Sequence, residues 1–423
     1  MSAPQTRTPL PPFPYLALFT VAVATFLSVT IEMLPTGLLP EMSDELGVTE
    51  SMIGLTVSVF AFTVVLSSAL LSHLTRRFDR HKLVVIVLLV LAASTVLTAF
   101  APNYGVLIAS RVLGGLAHGL FWAVMGAYAS YLVPKEQLGR AVSISLGGGS
   151  LAFVFGVPLG VTLGHAVGWR MAFLVLAGLA LVGTFFVYKF LPPVKAGAST
   201  PTMSIAVASS TSTGSVTVLA DSTHAPRREQ SVLAVVIVCL ITAVTMIGQY
   251  TFYTYITPFL ERSVGVSKDF ISPALFGYGV MGLLSLVIVA AWLGSRPRLG
   301  LIIALVTVFV SVLTLAVWPG FLWLGIIAFL MWGLAGGMLP PLLQTRVLRA
   351  APARIRDVSS AFYTTAFNSG IGGGALVGAL ALEHWGLGVL PYIHAAFLVV
   401  AILLVIVADV VLHGVKQRRV IEH

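Results

Sequence analysis

Stretches of about 20 apolar residues recur along the whole chain, separated by short polar or charged breaks. They fall at about 15–38, 51–74, 83–101, 105–132, 140–163, 170–191, 231–258, 270–293, 299–318, 321–344, 358–382 and 389–412. At about 1.5 Å of rise per residue, each is long enough to cross a hydrocarbon layer of about 30 Å as a helix. The segment IALVTVFVSVLTLAVW (303–318) is apolar on every side, which suits a lipid-embedded helix and not an alternating barrel strand. The pattern predicts an all-α polytopic membrane protein with twelve transmembrane helices.

Composition agrees. Of 423 residues, 58% are hydrophobic and 9% charged, against about 25% charged in soluble proteins, which excludes a soluble globular enzyme. The net charge of +9 is a matter of topology. With both termini cytoplasmic, only Arg170, Arg262 and Lys268 fall outside and Arg111 lies within a span, while every other Lys and Arg lies inside. This is the positive-inside pattern, and no nucleic-acid partner is needed to account for it. The single cysteine, Cys239, lies in an apolar span and reads as a packed thiol.

The order of segments predicts a short disordered tail over 1–14 and an N-terminal six-helix bundle over 15–191. A second six-helix bundle over 231–412 and a cytoplasmic tail over 413–423 follow a flexible linker over 192–230, rich in Ser, Thr and Ala and free of aromatic residues. The halves are related by a shift of 218 residues. It places Pro40, Gly47 and Val48 on Pro258, Gly265 and Val266, GLAHG (115–119) on GLAGG (333–337), and Gly156 and Gly160 on Gly374 and Gly378. One ungapped offset serving several spans reads as a parallel pseudo-repeat.

Several segments carry a family resemblance. RVLGGLAHG, with Arg111 and Gly115, is similar to the Arg-x-x-x-Gly motif of the major facilitator superfamily, and FGVPLGVTLG resembles its antiporter motif. TIEMLPTGLLPEM, YTYITPFL, LLQTRVLRAAP and AFNSGIGGGALVG resemble the bacterial drug and sugar efflux branch, including arabinose-type sugar efflux permeases. The resemblance implies two bundles rocking about a midplane cavity, proton antiport, and residence in a bacterial inner membrane. The loop TRRFDRHK departs from the family pattern: Arg76 stands in the usual aspartate place and Asp79 where glycine is expected. Arg77, Asp79 and Arg80 then read either as a clamp, with Asp79 facing the helix start near Asp357, or as a basic lipid anchor.

Most acidic residues fall in loops, Asp409 lies near the end of the last span, and Glu32 is left within span 1. A charged carboxylate at that depth costs at least about 2.5–3.5 kcal/mol, so such residues face cavities and act as proton or ion sites. Glu32 and Arg111, the one embedded cation, are the expected proton-coupling pair, adjacent across spans 1 and 4 directly or through water. A fixed ion pair pinning two helices is the alternative. Helical spacing adds Thr25 and Ser28 beside Glu32, and His118 and Trp122 beside Arg111, as one wall of a substrate cavity. Gln249, Tyr250, Tyr253, Trp332, Thr364 and Asn368 offer the other, with aromatic faces for a sugar ring or a drug-like compound.

Small residues recur every four positions at Gly148, Ala152, Gly156, Gly160 and Gly164, beside Pro158, and again at Ala366, Gly370, Gly374 and Gly378. They read as gating interfaces between the bundles, with plain helix packing as the alternative. No phosphate loop or metal-ligand spacing occurs, so no cofactor or metal is expected beyond protons as coupling ion. The expected partners are a small-molecule substrate and the bilayer, for a protein working as a monomer. Proton-coupled efflux is the leading reading; a proton-independent facilitator or importer is the alternative, and a non-transporting receptor a distant one.

Overall fold

A computed structural model describes residues 13–133, 137–193, 231–352 and 355–421. Most of the expected N-terminal tail and of the 192–230 linker lies outside the described residues, as do 422 and 423. The first half comprises α1 (Tyr15–Gly37), α2 (Leu39–Leu46), α3 (Glu50–Leu74), α4 (Arg80–Ala99), α5 (Tyr104–Leu132), α6 (Leu138–Leu151), α7 (Val157–Val167) and α8 (Trp169–Phe190). The second comprises α9 (Val232–Tyr253), α10 (Ile256–Phe259), α11 (Lys268–Ile288), α12 (Pro297–Val317), α13 (Leu322–Ala350), α14 (Arg356–Trp385) and α15 (Leu390–Ile421). Among the described residues, twelve helices are long and apolar enough to cross a membrane; α6 and α7 form one of them, joined by the π-helical turn Ala152–Gly156. Large apolar side chains such as Leu66, Val287 and Leu403 point outward, the inverse of a water-soluble surface.

Local chemistry sets the helix ends. Thr49, Asp79, Asn103 and Ser231 cap α3, α4, α5 and α9, each accepting a hydrogen bond from the main-chain N–H three residues on. The repeat is legible in the backbone. All four described glycines with positive φ pair at the same offset, Gly47 with Gly265 and Gly168 with Gly386, at sharp turns where a side chain would be strained. The helices α5 and α13 start and stop at equivalent positions, and so do the segments Leu138–Val167 and Arg356–Trp385.

Three boundaries differ from the sequence reading. The seventh span ends at Tyr253, and the buried α10 with the π-helical turn Leu260–Val264 then follows as a separate short segment, at the repeat position of α2 in the first half. The tenth runs on to Ala350 through Pro340 and Pro341; Tyr363 Oη donates to the Pro340 carbonyl (3.0 Å), tying that disrupted stretch to α14. The last continues through the expected tail to Ile421.

Each half packs as its own bundle, with α1 against α6 and α8, α3 against α5, and α9 against α14 and α15. The halves meet where α3 packs on α14 and where the α6–α7 segment packs on α11. At the end of the molecule away from the termini, here the distal face, Arg262 pairs with Glu50 and Thr257 Oγ1 donates to the Thr36 carbonyl (3.2 Å). There too the Thr162 and Ser272 hydroxyls lie 2.6 Å apart. Polar groups from both halves therefore close this face.

Candidate functional site

Glu32 on α1 and Arg111 on α5 are 1% and 2% exposed. Arg111 donates through Nη1 to the Ile31 carbonyl (3.2 Å) and through Nη2 to the Glu32 carbonyl (2.9 Å), and its guanidinium lies 4.3 Å over the Phe60 ring. The planar fork thus meets two successive main-chain acceptors and an aromatic face, an arrangement that lysine cannot copy. The Glu32 carboxylate oxygens accept no hydrogen bond among the described residues.

His118, two helical turns along α5 from Arg111, is fully buried. The Trp122 indole can only donate, and its Nε1–H points at His118 Nε2 (2.6 Å), so that nitrogen is the acceptor. The imidazole proton then sits on Nδ1, which faces Ser28 Oγ at 2.9 Å. Glu32 Oε2 lies 3.4 Å from the same Nε2. One lone pair therefore faces two neighbours, the Trp122 N–H and the Glu32 carboxyl.

In the second half Gln249 is the centre of a polar group among rings. Its Nε2 donates to Tyr278 Oη (3.0 Å) and its Oε1 accepts from Trp332 Nε1 (2.8 Å). A cleft with roughly 520 Å³ of space between atoms, part of it continuous with solvent, opens beside Gln249, Tyr250, Tyr253, Tyr278, Phe153 and Ser150. None of its lining residues is charged. Tyr278 escapes the sequence reading, although it stands at the repeat position of Phe60; an alignment of the two halves signals it.

Several expected wall residues do not line this cleft. Thr25 is buried. Ser28, His118 and Trp122 are bound to one another. Trp332 is fully covered, stacked on Phe252 at 5.0 Å between ring centroids. The Thr364 hydroxyl donates to the Ser360 carbonyl, and Asn368 Nδ2 to the Thr364 carbonyl, on their own helix. His394, also missed from sequence, is buried 5.3 Å from the Trp332 ring, with no hydrogen-bond partner among the described residues.

The glycine stripes are corrected in their partners. A methyl group at Gly148 would strike the Ala22 carbonyl, at Gly156 the Thr30 side chain and at Gly160 Leu34, all on α1 of the same half. Gly370 and Gly374 meet Met246, Ile247 and Tyr250 on α9, and Gly378 meets Thr251 and Tyr255, again within one half. These stripes seat helices inside each bundle; they do not form the boundary between bundles. Pro158 does reach that boundary, its carbonyl accepting from Ser272 Oγ (2.7 Å). The glycines at the boundary are Gly54 against Tyr255, Gly279 against Phe153 and Val154, and Gly372 against Phe62. Spacing identifies a small-residue face but not the helix it meets, which is why the reading missed them.

In the loop before α4, Asp79 is a helix cap, accepting from the Lys82 N–H (3.1 Å), Arg80 donates to the Arg76 carbonyl (3.4 Å), and Arg77 is exposed. Asp79 is thus engaged as a local helix cap, and the Asp357 side chain that a clamp would face lies outside the described residues. At the distal face His165 Nε2 lies 3.1 Å from Glu41 Oε1, with Glu261 close by and Lys268 Nζ at 3.9 Å. The Glu261 carboxyl is held above its ordinary pKa by burial first and by the charge of Glu41 second.

Comparison with known proteins bears on what this arrangement belongs to. The chain is 27% identical over 384 residues to a "Probable sugar efflux transporter" of Helicobacter pylori (strain G27), covering 91% of this chain and 93% of the relative. The crystal structure of the human organic anion transporter MFSD10 (TETRAN) superimposes with a TM-score of 0.65 over 93% of this chain and the whole of that one, at 16% identity, a likeness of fold. The profile of the Major Facilitator Superfamily matches residues 21–375 and again 238–419. With twelve apolar helices in two related bundles, the chain belongs to the Major Facilitator Superfamily and is a membrane transporter, not an enzyme.

Proposed function

We propose that the protein is a proton-driven exporter of a small neutral molecule, working as a monomer in a bacterial inner membrane with both termini cytoplasmic. The Lys and Arg distribution supports the orientation. On this reading residues 192–230 are the cytoplasmic linker, and 1–14 and 413–423 the tails. The distal face is then external, and the molecule is closed on that side.

Glu32 carries the reading: a carboxylate sealed within the first bundle, bare of hydrogen bonds among the described residues and 3.4 Å from an imidazole acceptor. When Glu32 takes a proton from outside, its O–H competes with the Trp122 indole for the single lone pair on His118 Nε2. Protonation thereby becomes a change in helix contacts. Arg111 favours the deprotonated form without using up the carboxylate, and release of the proton inward resets the cycle. Coupling requires proton and substrate to stabilise opposite states, since a ligand indifferent to the two shifts neither.

The uncharged cleft supports a neutral substrate. Tyrosine rings and the Gln249 amide offer flat apolar faces with a few hydrogen-bonding edges, suited to a sugar or a small drug-like compound, and the similarity to a probable sugar efflux transporter points the same way. The test is flux in proteoliposomes. An imposed pH difference drives accumulation of a neutral sugar against its gradient in the parent protein but not in Glu32→Gln. Counterflow that ignores both the pH difference and that substitution overturns the proposal in favour of a facilitator.

A further inference from the structure

The distal face gathers three metal-ligating side chains from three segments. Glu41 lies on α2, His165 in the last turn of α7, and Glu261 in the π-helical turn after α10. A carboxylate oxygen from each glutamate and a ring nitrogen of His165 all lie within 4.8 Å of one another. Both Glu41 oxygens and Glu261 Oε1 are shut off from solvent yet accept no hydrogen bond among the described residues. The cations facing the group are few. Lys268 Nζ is 3.9 Å from Glu41 with its side chain 67% exposed, and Arg262 is already engaged by Glu50. Two carboxylates thus crowd a half-buried space opposite one loosely held ammonium.

We propose that Glu41, His165 and Glu261 form a zinc-type divalent metal site that bridges the two bundles. Two carboxylates and an imidazole, with water as fourth ligand, are a fitting donor set for that ion, whereas calcium and magnesium favour oxygen ligands throughout. Ligands about 2.0–2.2 Å from a tetrahedral centre lie about 3.3 Å apart. Small side-chain rotations close the remaining gap, and Lys268 moves its amine into water.

The location gives the site its effect. Glu41 and His165 belong to the first bundle and Glu261 to the second, so an ion held by all three binds only when the distal face is closed. It draws the population toward that state and slows any cycle that has to open it.

The test uses tag-free, full-length protein in detergent with zinc chloride, followed by calorimetric titration and thermal unfolding. A second measurement is the spin-label distance across the distal face, between Asp44→Cys and Asp269→Cys in a Cys239→Ser background. Zinc is expected to bind in the micromolar range, raise the unfolding temperature, and shift the distances toward their shortest component. His165→Ala and Glu261→Gln weaken binding at least tenfold. Lys268→Ala keeps every ligand and removes the competing ammonium, so it binds zinc at least as tightly as the parent. Absence of binding, equal affinity in the two ligand variants, weaker binding in Lys268→Ala, or binding with unchanged distances each overturns the proposal. These readouts require no transported substrate, so they stand apart from the test of proton-driven export.

Discussion

Arg111 holds Glu32 by its main-chain carbonyl, 2.9 Å from Nη2, while the Glu32 carboxylate accepts no hydrogen bond among the described residues. The cation therefore fixes the position of α1 whatever the protonation state of the acid. A structural anchor and the proposed proton site share one residue pair without competing for the same atoms.

Glu32→Gln should accordingly fold like the parent, because the Arg111 anchors survive it. Its unfolding temperature in detergent is expected to stay within a few degrees, while coupling to a pH difference is lost and passive exchange of substrate persists. Flux with and without a pH gradient, measured beside thermal unfolding, checks both halves of the statement.

Arg111→Ala should do the opposite and strike the fold. It leaves the Ile31 and Glu32 carbonyls without their donor and empties the space against Phe60. A loss of about 3 kcal/mol or more is expected, read as a lowered midpoint in denaturant. Arg111→Lys recovers only part of it, since one ammonium cannot fork between two carbonyls.

The glycines separate packing within a bundle from packing between bundles. Gly148→Ala drives a methyl group into the Ala22 carbonyl inside the first bundle and should cost about 1–3 kcal/mol. Gly279→Ala meets Phe153 and Val154 across the boundary instead. It should leave the unfolding temperature nearly unchanged while widening the Asp44→Cys to Asp269→Cys spin-label distance. Equal effects of the two substitutions on stability would contradict this assignment.

Gln249→Leu removes the acceptor of the Trp332 indole and the donor to Tyr278 together. Substrate affinity should fall about tenfold or more, as when a site built to form hydrogen bonds loses them. Binding followed by calorimetry, with Trp332 fluorescence reporting the altered ring environment, tests the expectation.

Much of this architecture is legible in sequence because it rests on local rules. Twelve apolar runs of membrane length give the spans, and the matched Gly47 and Gly265 mark the repeat that later appears in the backbone angles. Glu32 and Arg111 stand out because charges are rare in such runs. What stays hidden depends on partners distant in sequence. The four-residue spacing of Gly148, Ala152, Gly156 and Gly160 declares a smooth face, but only the packed chain reveals that the face meets α1. Trp332 looks like a ligand contact until neighbouring rings are seen to cover it. Glu41, His165 and Glu261 come from three segments whose spacing resembles no metal motif, and only folding brings them together.

The aromatic neighbours of the two central helices carry one more consequence. Phe60 lies under the Arg111 guanidinium in the first half; at the equivalent place in the second, Tyr278 stacks on Phe329 with centroids 4.8 Å apart. The same seat holds a cation on a ring in one copy and a ring on a ring in the other. Parting the second pair strands no ion in a medium of low dielectric, whereas parting the first exposes a charge that must be re-solvated. The duplicated halves are thus held unequally at this seat, one by charge on a ring and the other by stacked rings and the Gln249 hydrogen bond.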